Sequence, residues 1–457
     1  MTNDQSRRAF LKRSAALSMA GGATPFVMNL AAMGDAAAAT NSDYKALVCI
    51  FLLGGNDYAN TVTPYDQASY NEYQRLRSVL AYGRDSLTPT LLNPATALPG
   101  GRQYALGPAL SPLMPIFDAG KLGVVLNVGT LVQPTTKAQY QARNVPLPPK
   151  LFSHNDQQSY WQASSPEGAT SGWGGRMGDL FQSGNTSAAL TCINPSGSSV
   201  YLSGRSAVQY SVTSNGPISL TANNSLFGSS AASTALKGLM GGGRSNLFEN
   251  EHARVSRRSI DLAAQVTTAL AGAPALTTNF PAGNTLADQL RIVARMIAVS
   301  SELGARRQVF FVSTGGFDTH DRLVAEHPGL LTRVSTAMRA FYDTTVQLGV
   351  ADQVTSFTAS DFGRTLVANT DGSDHGWGSM HFAMGGAVRG RQFYGSAPIV
   401  ADNGPDDVGQ GRLLPTTSVD QYAATLATWF GVSAGDLPTV LPNIGNYNAS
   451  ARNLGFV

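Results

Sequence analysis

Charge is what this chain has least of: Asp, Glu, Lys and Arg make up 13% of its 457 residues, about half of the usual quarter. The formal net charge is +3, a near-balance that argues against a nucleic-acid partner. Cysteine is nearly absent. Cys49 and Cys192 each sit inside an apolar run, so no disulfide framework and no Cys-based metal site is encoded, which leaves either two buried thiols or a single bridge. Long hydrophobic runs are missing too. The stretch from Ala15 to Ala32 is broken by Gly21, Gly22, Pro25 and Asn29, too poor in Leu, Ile and Val for a comfortable bilayer span of about 20 residues, so no stable membrane anchor is expected. Gly-x-Ser-x-Gly occurs once, at Gly431-Val432-Ser433-Ala434-Gly435, directly after a helix expected over Val419 to Phe430 and not after a strand, so no nucleophile elbow is encoded; there is no Gly-x-x-x-x-Gly-Lys-Ser/Thr loop, no His-Glu-x-x-His and no Cys-x-x-Cys. These absences disfavour a serine esterase, a P-loop NTPase, a zincin and a thioredoxin-like enzyme.

What is present begins with Ser6-Arg7-Arg8-Ala9-Phe10-Leu11-Lys12, a twin-arginine motif, followed by the weakly apolar stretch and then small residues from Met33 to Ala39. The pattern reads as a removable export signal over residues 1–39. The expected partner is the twin-arginine (Tat) export machinery, and the expected location is periplasmic or extracellular. A disordered basic N-terminus on a cytoplasmic protein is the other reading, and it leaves the alanine run unexplained. Cleavage would remove four basic and two acidic residues, taking the formal charge to +1. Residues 40–457 then read as a single domain.

Lys45 to Leu53 is a near-continuous apolar run ending in Gly54-Gly55, the pattern of a strand buried on both faces. Similar runs fall at Leu122 to Val128, Ala189 to Ile193, Gln308 to Val312 and Val354 to Ala359. A helix is expected from about Thr285, with Leu286, Leu290, Val293 and Ile297 on one face and Thr285 as its cap. Others are expected from about Leu330 to Leu348 and from Val419 to Phe430. The alternation predicts an α/β fold, with a central, mostly parallel sheet flanked by helices on both faces. Residues 195–250, rich in Ser, Gly and Asn with strand-like pieces such as Ser199 to Leu202, read as a lid or insertion.

Open α/β sheets bind ligands beyond the carboxyl ends of their strands. The residues there are Gly54-Gly55-Asn56-Asp57 after the first run, Gly315-Gly316-Phe317-Asp318-Thr319-His320 after the run at 308, and Ser360-Asp361-Phe362-Gly363-Arg364-Thr365 after the run at 354. Of six histidines, four (His154, His320, His375 and His381) lie in or beside polar loops. Asp and His donors converging from such loops suit one or two divalent ions, zinc or manganese. Taken singly, each Asp also fits a helix cap and each His a surface contact. Arg364 suits an oxyanion, or equally a structural ion pair beside Asp361. Ser153 is a metal-activated nucleophile or a turn residue.

Gly54-Gly55-Asn56-Asp57 with Asn60-Thr61, Phe152-Ser153-His154 with Asp156-Gln157-Gln158 and Trp161, Gly172-Trp173 with Gly175-Arg176, the Asp318 and Asp361 segments, and Asp374-His375-Gly376-Trp377-Gly378 together carry a resemblance. The chain resembles the domain of unknown function 1501 family, often Tat-exported and belonging to the alkaline phosphatase and sulfatase superfamily. The resemblance implies metals at the strand ends and a nucleophile attacking phosphate or sulfate. It implies Asp57 as the ligand after the first strand, Asp318 and His320 as ligands of one ion, Asp361 as a ligand of the other, and His375 as a late ligand. Ser153 would be the nucleophile, with Thr61 the runner-up. The chain departs from the superfamily where Phe362 follows Asp361 and where one residue, Thr319, separates Asp318 from His320, so one metal is absent or differently held. No Cys-x-Pro-x-Arg motif is present, which disfavours a formylglycine sulfatase. The expected function is an exported metal-dependent hydrolase of small-molecule or polymer phosphate or sulfate esters. The alternative is a non-catalytic exported binding or assembly protein on the same scaffold, and a Tat-exported redox protein has no cofactor fingerprint behind it.

Overall fold

A computed structural model describes residues 44–218 and 225–457; the twin-arginine segment lies outside the described residues. The strands are β1 Lys45–Leu52, β2 Val62–Pro64, β3 Tyr104–Leu106, β4 Leu122–Gly129, β5 Cys192–Asn194, β6 Gln209–Thr213, β7 Gly216–Pro217, β8 Arg307–Thr314, β9 Val354–Ser360, β10 Ser379–Gly385, β11 Phe393–Tyr394 and β12 Thr417–Ser418. Ten of them form one sheet in the order β11-β4-β10-β9-β1-β8-β5-β6-β7, with β12 beside β4. The pairs β1/β8, β1/β9, β5/β8 and β5/β6 are parallel. Strand β10 runs antiparallel between β9 and β4, so the sheet is mostly parallel, as expected.

Helices that matter below are α1 Gln67–Arg77, α2 His154–Ala163, α3 Trp173–Phe181, α4 Leu247–Ala271, α5 Thr285–Ala298, α6 Leu323–Gln347 and α7 Val419–Phe430. Period-two alternation in β1 explains why its run is apolar throughout. Val48, Ile50 and Leu52 face one core with Leu290 and Val293 of α5 and Val334 and Phe341 of α6. Leu47, Cys49 and Phe51 face another with Trp161 of α2, Met177 of α3 and Leu426 and Phe430 of α7. A strand covered on both faces has no solvent side to make polar. The fold is a three-layer α/β architecture.

Local chemistry adjusts several expected boundaries. Helix α5 is capped by Asn284, whose side chain accepts from the N–H groups of Leu286 and Ala287, rather than by Thr285. Helix α6 begins at Leu323 and runs through Pro328, because Pro328-Gly329 reads as a breaker in sequence while tertiary packing carries the helix across it. Helix α7 starts at a capping box between Ser418 and Gln421. Ser199 to Leu202 is not a strand; Val200–Leu202 makes a short 3-10 turn with Tyr201 and Leu202 buried. The Ser- and Gly-rich stretch contributes edge strands β6 and β7 before leading into the helix Ser230–Gly241 and α4.

Two histidines are built into this core as neutral groups. His381, inside β10, packs 4.9 Å from Trp161, and burial pushes its pKa down to about 3. His327 of α6 contacts Asn56 Oδ1 at 3.0 Å through Nε2, and burial pushes its pKa down to about 4. Below the unfolded value of about 6.5 the unfolded chain takes up a proton on each histidine while the folded chain does not. Their effect is therefore to lower stability as pH falls toward the folded values. Asp420 opposes this between its unfolded value and about 6, because burial raises it. In urea titrations from pH 6 to 4.5, His327→Gln is expected to flatten the pH dependence of unfolding free energy by about 1.4 kcal/mol per pH unit. An unchanged slope would mean that His327 titrates in the folded chain.

Candidate metal centre

The register of the central strands assembles the site. Leu52 of β1 lies opposite both Thr314 of β8 and Ser360 of β9, so three strands finish level and deliver their following loops to one edge. The loop after β1 runs close beneath the loop after β8. At Gly54, with φ +116°, an added Cβ would fall 2.4 Å from the backbone nitrogen of Asp318, and at Gly372 one would fall 2.2 Å from the carbonyl of His320. Only glycine permits both approaches. His375 reaches the same edge in the loop before β10 and bridges Arg364. His154 arrives from elsewhere: it is the first residue of α2, after Ser153 at the N-cap.

Three imidazoles and one carboxylate oxygen converge. Asp318 Oδ1 lies 3.4 Å from His154 Nε2, 3.2 Å from His320 Nε2 and 3.4 Å from His375 Nε2. His375 Nε2 is 3.1 Å from His154 Nε2 and 2.9 Å from His320 Nε2. The other ring nitrogens all face oxygen acceptors. His154 Nδ1 is 2.6 Å from Asp361 Oδ2, His320 Nδ1 is 3.2 Å from Asp374 Oδ1, and His375 Nδ1 is 2.7 Å from the carbonyl oxygen of Phe152. A carbonyl oxygen only accepts, so His375 Nδ1 carries the proton and its Nε2 presents a lone pair to the cluster. The Asp361 and Asp374 carboxyl groups occupy the corresponding place beside Nδ1 of His154 and of His320.

The electrostatics agree with a cation-binding arrangement. Burial alone would raise Asp318, but its hydrogen bond with Arg364 and the charges of Arg364, His154 and His320 outweigh that and hold its carboxyl below the usual range. The hydrogen bond to Asp361 raises His154 against the opposing effect of burial, whereas burial leads in lowering His375, helped by His154 and Arg364. Among the described residues, His154, Asp318 and His375 form a potential ligand set, with donor atoms within 4.8 Å of one another, and His320 lies beside it.

The other expected site residues stand around this cluster in different roles. Asp361 is fully buried and its Oδ2 also accepts from Gln158 Nε2 at 2.9 Å and from the backbone N–H of Gly54 at 3.2 Å, so it orients His154. Asp57 is buried in an ion pair with Arg77 of α1 at 2.5 Å, and among the described residues it shares no ion pair with the histidines. Arg364 is buried, and each guanidinium nitrogen donates to a protein acceptor: Nε and Nη2 to Ser373, Nη1 to the carbonyl oxygen of Gly54 and to Asp318 Oδ1, both at 3.0 Å. This engagement differs from the expected oxyanion contact and makes Arg364 a positioning group for Asp318. Ser153 Oγ donates to Asp156 Oδ2 at 2.9 Å. Thr61 Oγ1 donates to the carbonyl oxygen of Asp57 at 2.7 Å. His154 is the functional residue that strand-end reasoning missed as a ligand. The clustering of scarce histidines in polar loops was the signal that pointed to it.

A family model described as "Protein of unknown function (DUF1501)" matches residues 44–437. No curated protein matches the chain. Similar solved structures include Ps i-CgsB in complex with k-i-k-neocarrahexaose and Ps i-CgsB alone, each at 10% identity and a TM-score of 0.36 over 89% of this chain and 77% of that one. They also include the C-terminal periplasmic domain of EcEptC from Escherichia coli, at 12% identity and a TM-score of 0.31 over 88% of this chain and 87% of that one.

The Asp57–Arg77 pair makes a separable prediction. Arg77→Met leaves a buried carboxylate without its partner, which costs about 3–5 kcal/mol. Urea unfolding is expected to show that loss, and a change below about 1 kcal/mol would mean the pair is not buried in solution.

Proposed function

The chain belongs to the DUF1501 family, and on that premise we propose that it is an exported, metal-dependent hydrolase of phosphate or sulfate esters working with one divalent ion at His154, Asp318, His320 and His375. The observation that carries this reading is the turning of three ring nitrogens toward one carboxylate oxygen, with separations of 2.9–3.4 Å. Lone pairs that close repel unless a cation, or a proton on one ring, lies among them. Ligand bonds of about 2.0–2.1 Å in a tetrahedral shell place donor atoms about 3.3 Å apart, and the donors of His154, Asp318 and His375, 3.1–3.4 Å from one another, fit an ion with little movement. Three nitrogens and one oxygen suit zinc, with manganese the second choice.

An ion held there would polarise an ester oxygen and lower the pKa of a water toward neutrality. The chain's own groups keep the site ordered. Asp361 and the Phe152 carbonyl hold His154 and His375 in one tautomer, and Arg364 holds Asp318; such outer contacts typically govern affinity by about 10–100-fold. Ser153, next to His154 in the chain, is the nucleophile of this reading, and Asp156 Oδ2 is placed to receive its proton. The twin-arginine pattern of residues 1–39 supports export, with the Tat machinery as the partner and a location outside the cytoplasm in this reading. Among the described residues no helix is long and apolar enough to cross a membrane.

One feature favours a second reading, a binding or assembly protein with a structural ion. Four protein donors complete a tetrahedral shell, as closed structural sites do. Metal analysis of chelator-free protein, with His375→Ala and Asp318→Ala alongside, separates the cases. The hydrolase reading expects about one equivalent of metal, lost in both variants, together with metal-dependent cleavage of aryl phosphates or sulfates. Metal without turnover on any ester class would favour the structural ion, and folded protein without metal would sink both.

A further inference from the structure

The four donors of the metal centre are not held equally. His154 begins a helix, its ring lies 4.8 Å from that of Phe362 and 4.3 Å from that of His375, and its Nδ1 is anchored to Asp361, a carboxylate with no exposure. His375 also packs 4.8 Å from Phe362 and is tied to a main-chain carbonyl. Asp318 is 47% exposed but is held by the buried Arg364 at 3.0 Å, whereas His320, among the described residues, has no comparable hold and differs from the other two histidines. Its side chain is 45% exposed against 26% for His154 and 25% for His375. Among the described residues its ring contact is with His375, at 4.7 Å. Its Nδ1 partner, Asp374, is itself 35% exposed and also accepts from Asn369 Nδ2 at 2.8 Å. It lies on the loop between β8 and α6, where its carbonyl is approached closely by Gly372, a residue with no side chain to pack on it.

We propose that His320 is a displaceable fourth ligand: His154, Asp318 and His375 hold the ion, and His320 gives up its position to an oxyanion of the incoming ester. This rests on the metal-centre reading above and resolves its tension, since a shell of four fixed protein donors leaves no room for substrate whereas three fixed donors and one exchanging donor do. The exchange needs no backbone rearrangement around the fixed ligands. Rotation of one exposed imidazole away from Asp374 opens the position and costs little burial.

Cobalt(II) titration followed by visible absorption tests the proposal, with inorganic phosphate as the probe. His320→Ala is expected to keep about one equivalent of cobalt, while His375→Ala loses it. Phosphate should change the spectrum of both wild-type and His320→Ala protein and bind the variant about tenfold more tightly, because in wild type it competes with a resident ligand. Loss of cobalt from His320→Ala, equal to that in His375→Ala, would overturn displacement and make His320 a fixed ligand. Identical cobalt affinity, spectrum and phosphate affinity in wild type and His320→Ala would also overturn it, by removing His320 from the shell. Both of those outcomes leave the metal centre standing. Failure of wild-type protein to bind cobalt would instead remove the reading on which the proposal rests.

Discussion

The guanidinium of Arg364 is the point at which the separate strand ends become one site. Its nitrogens reach the loop after β1 at Gly54, the loop after β8 at Asp318 and the loop before β10 at Ser373. Burying such a group is unfavourable by itself, and burial is the leading influence that lowers its pKa, opposed by Asp318, Asp57 and Asp374. The planar fork meets its acceptors in fixed directions, which a lysine ammonium on a flexible stem would not do. Without that tie, three loops that finish level would still be near one another. They would not present Asp318 Oδ1 to the histidines.

The layers of the fold were legible because burial writes itself into composition. A strand covered on both faces must be apolar at every position, and β1, β8 and β9 were found by that rule. Boundaries governed by packing were less visible, as the extension of α6 through Pro328 shows. The edge of the sheet that carries the site followed from strand direction. Asp318, His320 and His375 were placed there from sequence and do meet, whereas the roles of Asp57 and Asp361 depended on partners that no spacing reveals. Arg77 finds Asp57 from a separate helix, and Asp361 meets His154 from a segment about two hundred positions away. A carboxylate after a buried strand looks the same in sequence whether it binds an ion, orients a ligand or neutralises a buried arginine.

The family and the geometry speak to different questions. The DUF1501 match identifies the lineage of nearly all the described chain without assigning chemistry, and chemistry has to be argued from the donors themselves. Those donors come with their orienting partners already in place, so the arrangement is pre-formed. Pre-formation of this kind limits how far an ion can depart from tetrahedral preference, which narrows the choice among divalent metals more than affinity alone would.

The donors stand at positions 154, 318, 320 and 375, and no single hairpin or helix pair contains them. A growing chain cannot therefore assemble the centre until its last ligand has been synthesised and the strands on either side of β1 have docked in register. Occupancy is then a certificate of finished topology, issued at the end of folding and not before. On the proposed reading of an exported metalloprotein, the chain would travel folded, the certificate would be issued inside the cell, and the cytoplasmic metal supply would choose the ion.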